Sequence, residues 1–489
     1  MNRNPFVSSL FLFLAVAAGL STIVPGAGLA GPILMSEEKE IELGTQLHPK
    51  VLQDFGIYPN PELQVYVNSV GQELAAVSDR SHLDFTFTVL DDETVNAFAT
   101  PGGYIYISRG MLAHLNSEAE LAAILGHEIG HVEARHSVKR ESSGKWASAL
   151  ATLAAIATRS TVAGSAANMV GSAMISGYSR AQELEADELG AKLMAKIGYS
   201  PDAMLHTVSL LKQRELFEIE RARAEDREAR IPHGLSATHP DNDKRFAEAI
   251  DAARQFQVAE PRPDGAENYL DQINGLKWGP KKSPGVVRAN YYYHSKFMIK
   301  WKFPENWRVT GDTGRILAIS DDNDAILQVF VVVPGRTMTA EDVINKKLGV
   351  NFIKDSKAIT IAGMKAHIGT ADRYISPFGA RPARVAAILD NRGRRAYVFA
   401  GTGKHDLAKI SSDSDFIATI FSLDKLHGEE RNLGRPATLK IVRAEADTTM
   451  EYLAARSAVP TYSEQNLRLI NGLYPSGEPE PGTLIKTVD

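Results

Sequence analysis

The chain has 489 residues, 54 Lys and Arg against 59 Asp and Glu for a net charge of −5, and no cysteine. That length exceeds one ordinary hydrophobic core and calls for two or three domains. The acidic balance argues against a nucleic-acid partner. The lack of cysteine excludes disulfides, thiolate metal sites and a lipid-modified N-terminal cysteine, leaving His and carboxylate as metal ligands.

Residues 1–30 read as a cleaved export signal. Asn2-Arg3-Asn4 gives a short positive start, residues 6–24 are almost wholly apolar, and Gly28 and Ala30 put small residues where a signal peptidase inspects. An uncleaved anchor competes with this reading, because the apolar run approaches spanning length. Its Gly/Pro-broken end favours cleavage, and the periplasm is the expected location. From Met35 to Arg80 apolar residues recur at helical spacing, as at Leu63, Val67, Val70 and Leu74, and Phe85–Leu90 alternates as a strand. Asn96, Ala97, Phe98 and Ala99 lead through Gly102-Gly103 into Tyr104–Ile107, a predicted hairpin.

His127-Glu128-Ile129-Gly130-His131 follows. Residues four apart lie one turn apart on a single helix face, so both imidazoles can reach one ion, while Glu128 can face a metal-bound water. Ser117 reads as the N-cap of this helix, with Glu120 reaching back to complete a capping box. Leu121, Ile124, Leu125, Ile129 and Val132 then set the motif against a core. Gly126 and Gly130 each cost about 1 kcal/mol of helix propensity, which the close approach of another backbone or a bound group would offset. A catalytic zinc needs a third protein ligand. Glu183 and Asp187, again four apart, supply one carboxylate for the metal and one for the outer nitrogen of a ligand histidine. With Glu185 and Glu188 beside them, a solvated acidic helix face is an equal reading of the pattern.

Residues 147–178 carry Arg159 as their only charge and read as a soluble helical lid that touches membrane or client, in preference to membrane-dipping helices. Ile197-Gly198-Tyr199-Ser200-Pro201 closes one helix and opens another, and Arg214–Arg230 reads as an exposed amphipathic helix. Residues 261–285 read as a Pro/Gly-punctuated linker. Residues 286–425 form a predicted α+β accessory domain on an antiparallel sheet, with a helix at Ala340–Leu348 and strands at Ile326–Val333 and Arg384–Leu389. Residues 435–489 read as a small β-α-α-β unit.

The sequence resembles metallopeptidase family 48, the zinc metallopeptidases that include the CAAX prenyl proteases, HtpX and BepA, most closely their periplasmic BepA-like branch. The resemblance spans roughly residues 35–260. It rests on H-E-x-x-H followed some fifty residues later by Glu183-Leu184-Glu185-Ala186-Asp187, on Asn96–Gly103, on Arg135-His136 and on Thr238-His239-Pro240 with Arg245. It implies a mainly helical zincin-type domain over 31–260, one Zn2+ per chain held by His127, His131 and Glu183, and an auxiliary catalytic role for Asp187. It also implies a substrate-binding strand at Asn96, Ala97, Phe98 and Ala99, and a latch in which His239 fills the open metal position. Arg245 would stabilise the oxyanion.

The C-terminal order resembles a LysM module, which implies peptidoglycan contact, although Ala446 stands where Gly normally precedes Asp447-Thr448. The expected activity is zinc-dependent endopeptidase cleavage of unfolded or stalled envelope proteins, with Glu128 as general base. The alternative is a periplasmic chaperone or outer-membrane assembly factor in which proteolysis is secondary.

Overall fold

A computed structural model describes residues 35–141, 178–229, 251, 254–279, 285–288, 290–294, 296–311, 314–428, 430–459 and 461–489. The export signal, residues 147–177 of the lid segment, His239 and Arg245 lie outside the described residues. Among the described residues no helix is long and apolar enough to cross a membrane.

The N-terminal half is built around one buried helix. Helices α1 (Glu37–Phe55) and α2 (Pro61–Ala76) begin at Ser36 and Asn60, whose side chains accept from the N–H groups of Lys39 and Leu63. A three-stranded sheet in the order β1-β3-β2 follows, from β1 (Thr86–Leu90), β2 (Ala97–Thr100) and β3 (Tyr104–Ser108). Strands β1 and β3 are parallel, and β2 returns antiparallel on β3 with Ala97 opposite Ile107. Gly102 and Gly103 take φ of 81° and 90° in the connecting turn, a region open to glycine and costly for other residues. Helix α3 (Arg109–His114) leads into α4 (Glu118–Glu133), which carries the H-E-x-x-H residues. Fourteen of the sixteen α4 residues are buried, because α2, β2 and two later helices enclose it. Ser117 caps α4 by accepting from the Glu120 N–H, but the Glu120 carboxylate accepts from Asn116 N rather than from the cap residue's own N–H. The reciprocal box therefore closes one residue early.

After α5 (His136–Glu141) come α6 (Arg180–Lys196) and α7 (Asp202–Ala224). Helix α7 ends short of Arg230 and is not wholly exposed. The Arg214 guanidinium is enclosed and donates to His114 Nε2 at 2.7 Å, and burial holds its pKa down to about 10. The predicted linker also contains structure, since Ala266–Ile273 form helix α8 with Tyr269, Leu270 and Ile273 in the main core. The Pro and Gly punctuation around it hid a stripe of three apolar residues.

The accessory region contains two antiparallel sheets. One has the order β14-β6-β5-β4, from β4 (Val286–Arg288), β5 (Tyr291–His294), β6 (Ile299–Lys302) and β14 (Asp424–Lys425). The other has the order β10-β11-β12-β13-β9-β8-β7. Its strands are β7 (Arg308–Gly311), β8 (Arg315–Ile319), β9 (Ala325–Val332), β10 (Lys354–Ile361), β11 (Met364–Ser376), β12 (Gly379–Leu389) and β13 (Ala396–Gly403). Alternation along β12 explains how both faces are covered. Ala386 and Ile388 join Trp301, Phe399 and Phe416, the last from helix α10 (Asp413–Phe421), whereas Val385 and Ala387 pack with Ile344 of α9 (Ala340–Leu348).

After a short α11 (Glu430–Leu433), the C-terminal residues run β15 (Leu439–Arg443), α12 (Met450–Ala454), α13 (Ser463–Ile470) and β16 (Leu484–Val488). The strands pair antiparallel, so the expected β-α-α-β order is present, although α12 is capped by Thr449 rather than at Asp447-Thr448. This unit does not hang free. Leu439, Met450, Leu467, Ile470 and Ile485 lie in the same apolar cluster as Leu63, Val67, Leu121 and Ile129. Lys486, fully buried, donates from Nζ to the carbonyls of Ala113 and Leu115, at 3.1 and 2.6 Å, at the end of α3.

Candidate metal centre

Helices α4 and α6 pack backbone to backbone, and glycine makes this possible. A Cβ on Gly130 would stand 2.7 Å from the Ala186 carbonyl oxygen, and one on Gly190 would stand 3.0 Å from His127 N. The propensity cost of Gly130 is thus offset by contact that any side chain would prevent. At this distance the His127/His131 face of α4 meets the Glu183/Asp187 face of α6.

The result is a compact donor set. His127 Nε2 and His131 Nε2 are 3.0 Å apart, and each lies 3.6 Å from a Glu183 carboxylate oxygen. Tetrahedral donors about 2.0–2.1 Å from a zinc ion are separated by about 3.3 Å. The triangle therefore fits a single ion of that size, and all three residues are buried.

The protonation pattern gives a second test of fit. His127 Nδ1 lies 2.7 Å from Asp187 Oδ1. A carboxylate only accepts, so Nδ1 carries the hydrogen and Nε2 is the lone-pair nitrogen. His131 Nδ1 lies 2.8 Å from His136 Nδ1, and His136 Nε2 lies 3.0 Å from Glu185 Oε2. Glu185 fixes the hydrogen on His136 Nε2, so His136 Nδ1 accepts, His131 Nδ1 donates, and His131 Nε2 is again the lone-pair nitrogen. Burial, opposed by the Glu185 hydrogen bond, holds the His136 pKa below the usual imidazole value, which keeps that ring neutral at pH 7. Two imidazole lone pairs and a carboxylate facing one point form a donor set suited to a divalent cation.

His136 was missed as a site residue by spacing, and the reason is geometric. On an uninterrupted helix a residue five positions on points about 140° away. Arg135 breaks the helix with φ of 56°, and His136 begins α5 folded back onto His131. Arg135 is held there by Glu40, whose carboxylate also accepts from Arg80, and Arg80 donates to the Val132 carbonyl at the end of α4. Tyr178 stacks on His131 with ring centroids 4.0 Å apart, and its hydroxyl lies 3.1 Å from Ser137 Oγ. The Arg135-His136 pair was visible in the resemblance. Its geometric use was not.

The remaining site residues fall as follows. Glu128 is fully buried, one position after His127. Ala97, Phe98 and Ala99 lie in β2, the edge strand of the small sheet, and β2 packs against α4. Asn96 precedes that strand, and its N–H donates to Ser108 Oγ at 3.2 Å.

These features define a candidate metal-dependent hydrolase site of the H-E-x-x-H type. Residues 61–253 match the model of Peptidase family M48. The chain is 27% identical over 245 residues to the beta-barrel assembly-enhancing protease of Escherichia coli K12, covering 48% of each chain. It is 25% identical over 282 residues to the protein of that name from Yersinia pestis, covering 54% of this chain and 55% of that one. It is also 27% identical over 247 residues to the mitochondrial metalloendopeptidase OMA1 of Schizosaccharomyces pombe, covering 50% of this chain and 69% of that one. The chain spans about half the length of the bacterial relatives it matches.

Proposed function

We propose that this protein is a zinc-dependent endopeptidase of the bacterial envelope that cleaves misfolded or unassembled polypeptides. The observation that carries the reading is the 3.0–3.6 Å triangle of His127, His131 and Glu183 with its two outer hydrogen-bond relays. The names of the bacterial relatives support the substrate class and the envelope location, and the apolar N-terminus supports export.

In this reading His127, His131 and Glu183 hold one Zn2+. Bound there, the ion supplies Lewis acidity to a water and to the scissile carbonyl. Glu128 takes a proton from the attacking water on its carboxylate oxygen and delivers it to the leaving amine. Asp187 holds the hydrogen on His127 Nδ1. The β2 edge takes the substrate backbone as an added strand, with Asn96, Ala97, Phe98 and Ala99 in register. His239 closes the site in the resting enzyme, and Arg245 stabilises the oxyanion. The C-terminal unit contacts peptidoglycan in the same reading.

Glu128→Gln tests the chemistry. It should keep metal content at the wild-type level and abolish cleavage of casein or of an unfolded outer-membrane protein. Cleavage at the wild-type rate would remove Glu128 from the mechanism. A chaperone in which cleavage is secondary would retain normal envelope assembly with this variant.

A further inference from the structure

A second candidate site lies at one end of the accessory region, far in sequence from the metal centre. Three segments meet there around a cavity of about 570 Å³: the β5–β6 turn, the β12–β13 hairpin and the stretch from Lys425, at the end of β14, to Arg431. They contribute Lys296, Arg392, Arg394, Arg395, Lys425 and Arg431. Among the described residues the single carboxylate lining the cavity is Asp390, so their local excess is five positive charges in a chain whose net charge is −5. General basicity does not explain this concentration.

Among the described residues the nearby acids offset little of it, Asp390 lying 3.8 Å from the Arg395 guanidinium. Asp390 shapes the hairpin, its Oδ1 accepting from the N–H groups of Arg392 and Arg394 at 3.2 and 2.8 Å. Glu430 pairs with Lys300 and accepts from His427 N. Among the described residues Lys296, Arg392, Arg394, Lys425 and Arg431 have no carboxylate within ion-pair distance. Like charges crowded at one mouth repel, and an anion relieves that repulsion. Arginine forks in particular match the paired oxygens of a phosphate.

The cavity also has an apolar side. Arg395 lies over the Phe297 ring at 4.0 Å, and Phe297, Met298 and Met364 line the wall beneath the cations. A rim of exposed cations over half-buried hydrocarbon suits an amphiphile with a phosphate headgroup better than a bare ion. We propose that this mouth docks the protein on a membrane surface by binding the phosphate headgroups of anionic lipids.

The test is co-sedimentation of the full chain with phosphatidylcholine vesicles, with and without phosphatidylglycerol. Binding should require phosphatidylglycerol and fall with salt. Arg392→Ser with Arg394→Ser removes two charges and leaves intact the backbone N–H groups that Asp390 holds. Each arginine near an anionic surface contributes about 1 kcal/mol, so this pair should weaken binding about 30-fold. Arg443→Ser with Arg456→Ser, two exposed arginines of the C-terminal unit, should leave it unchanged. Equal binding to both vesicle types, or no loss in the Arg392/Arg394 pair, would overturn the site. Thermal stabilisation by inorganic phosphate that the Arg392/Arg394 pair abolishes, without vesicle binding, would overturn the lipid as its source.

Discussion

The relay from His131 through His136 to Glu185 makes a demand that separates metal orientation from simple packing. His136→Leu fills much of the ring's volume but leaves the buried His131 Nδ1–H without its acceptor at 2.8 Å. An unsatisfied buried donor costs about 1–3 kcal/mol. Released from the relay, His131 can also place its hydrogen on Nε2, where it blocks the metal. Loss of such an outer partner typically weakens metal affinity 10–100-fold, or about 1.4–2.7 kcal/mol. His136→Asn restores an acceptor near the Nδ1 position and should recover most of that affinity, although it gives up the bond to Glu185. The Glu185 carboxylate is half-exposed. Its own replacement by Gln, which can still accept, should therefore cost less than His136→Leu. The assay is zinc affinity by chelator competition, alongside thermal unfolding of each metal-free variant. Zinc affinity of His136→Leu within a factor of two of wild type would refute the relay, whatever happened to stability. So would equal losses in the Leu and Asn variants.

Asp187→Asn should weaken zinc binding 10–100-fold, read by the same competition, because it replaces an ionised acceptor at 2.7 Å from His127 Nδ1. Gly130→Ala should destabilise by about 1–3 kcal/mol despite the better helix propensity of alanine, since its Cβ would meet the Ala186 carbonyl at 2.7 Å. Denaturant midpoints check this, and a stabilised variant would show that α4 and α6 can separate freely. Lys486 gives a pH signature. Burial lowers its pKa to about 7, so between that pH and the ordinary lysine value the unfolded chain binds more protons than the native one. Stability should therefore rise with pH through that window, and Lys486→Met should flatten the rise in denaturation curves taken at pH 7 and pH 9.

The donor set was readable because it follows helix arithmetic. His127 with His131 and Glu183 with Asp187 are both four-residue pairs, and the structure sets those two faces against each other. An acidic helix face in solvent was an equal reading of Glu183–Glu188, and burial separates its members. Glu183 and Asp187 are buried, whereas Glu185 points outward from the same helix yet still reaches His136. His136 was unreadable because its position depends on one left-handed residue, Arg135, held by Glu40 from almost a hundred residues earlier. Strand alternation marked strands of the accessory sheet and the helical reading of Ala340–Leu348 marked α9, but neither gave an order of strands, which long-range pairing decides. Helix α8 was lost because its eight residues sit between Pro and Gly signals that usually mark a linker.

The shared core bears on what kind of part the C-terminal unit is. A tethered binding module would keep its own apolar cluster and meet the peptidase region through a polar surface. Here Ile485 and Lys486 sit side by side on β16. One enters the core that supports α4, and the other holds the carbonyls that end α3, just before the Ser117 cap of the same helix. Trp278, in the segment read as a linker, packs on that core and stacks near His114, whose Nε2 accepts from Arg214. The N-terminal end of the H-E-x-x-H helix is thus positioned by a residue 371 positions after Leu115, and its C-terminal end by Glu40 and Arg80. Any ligand that moves the C-terminal unit would act first on the start of α4, ten residues from His127.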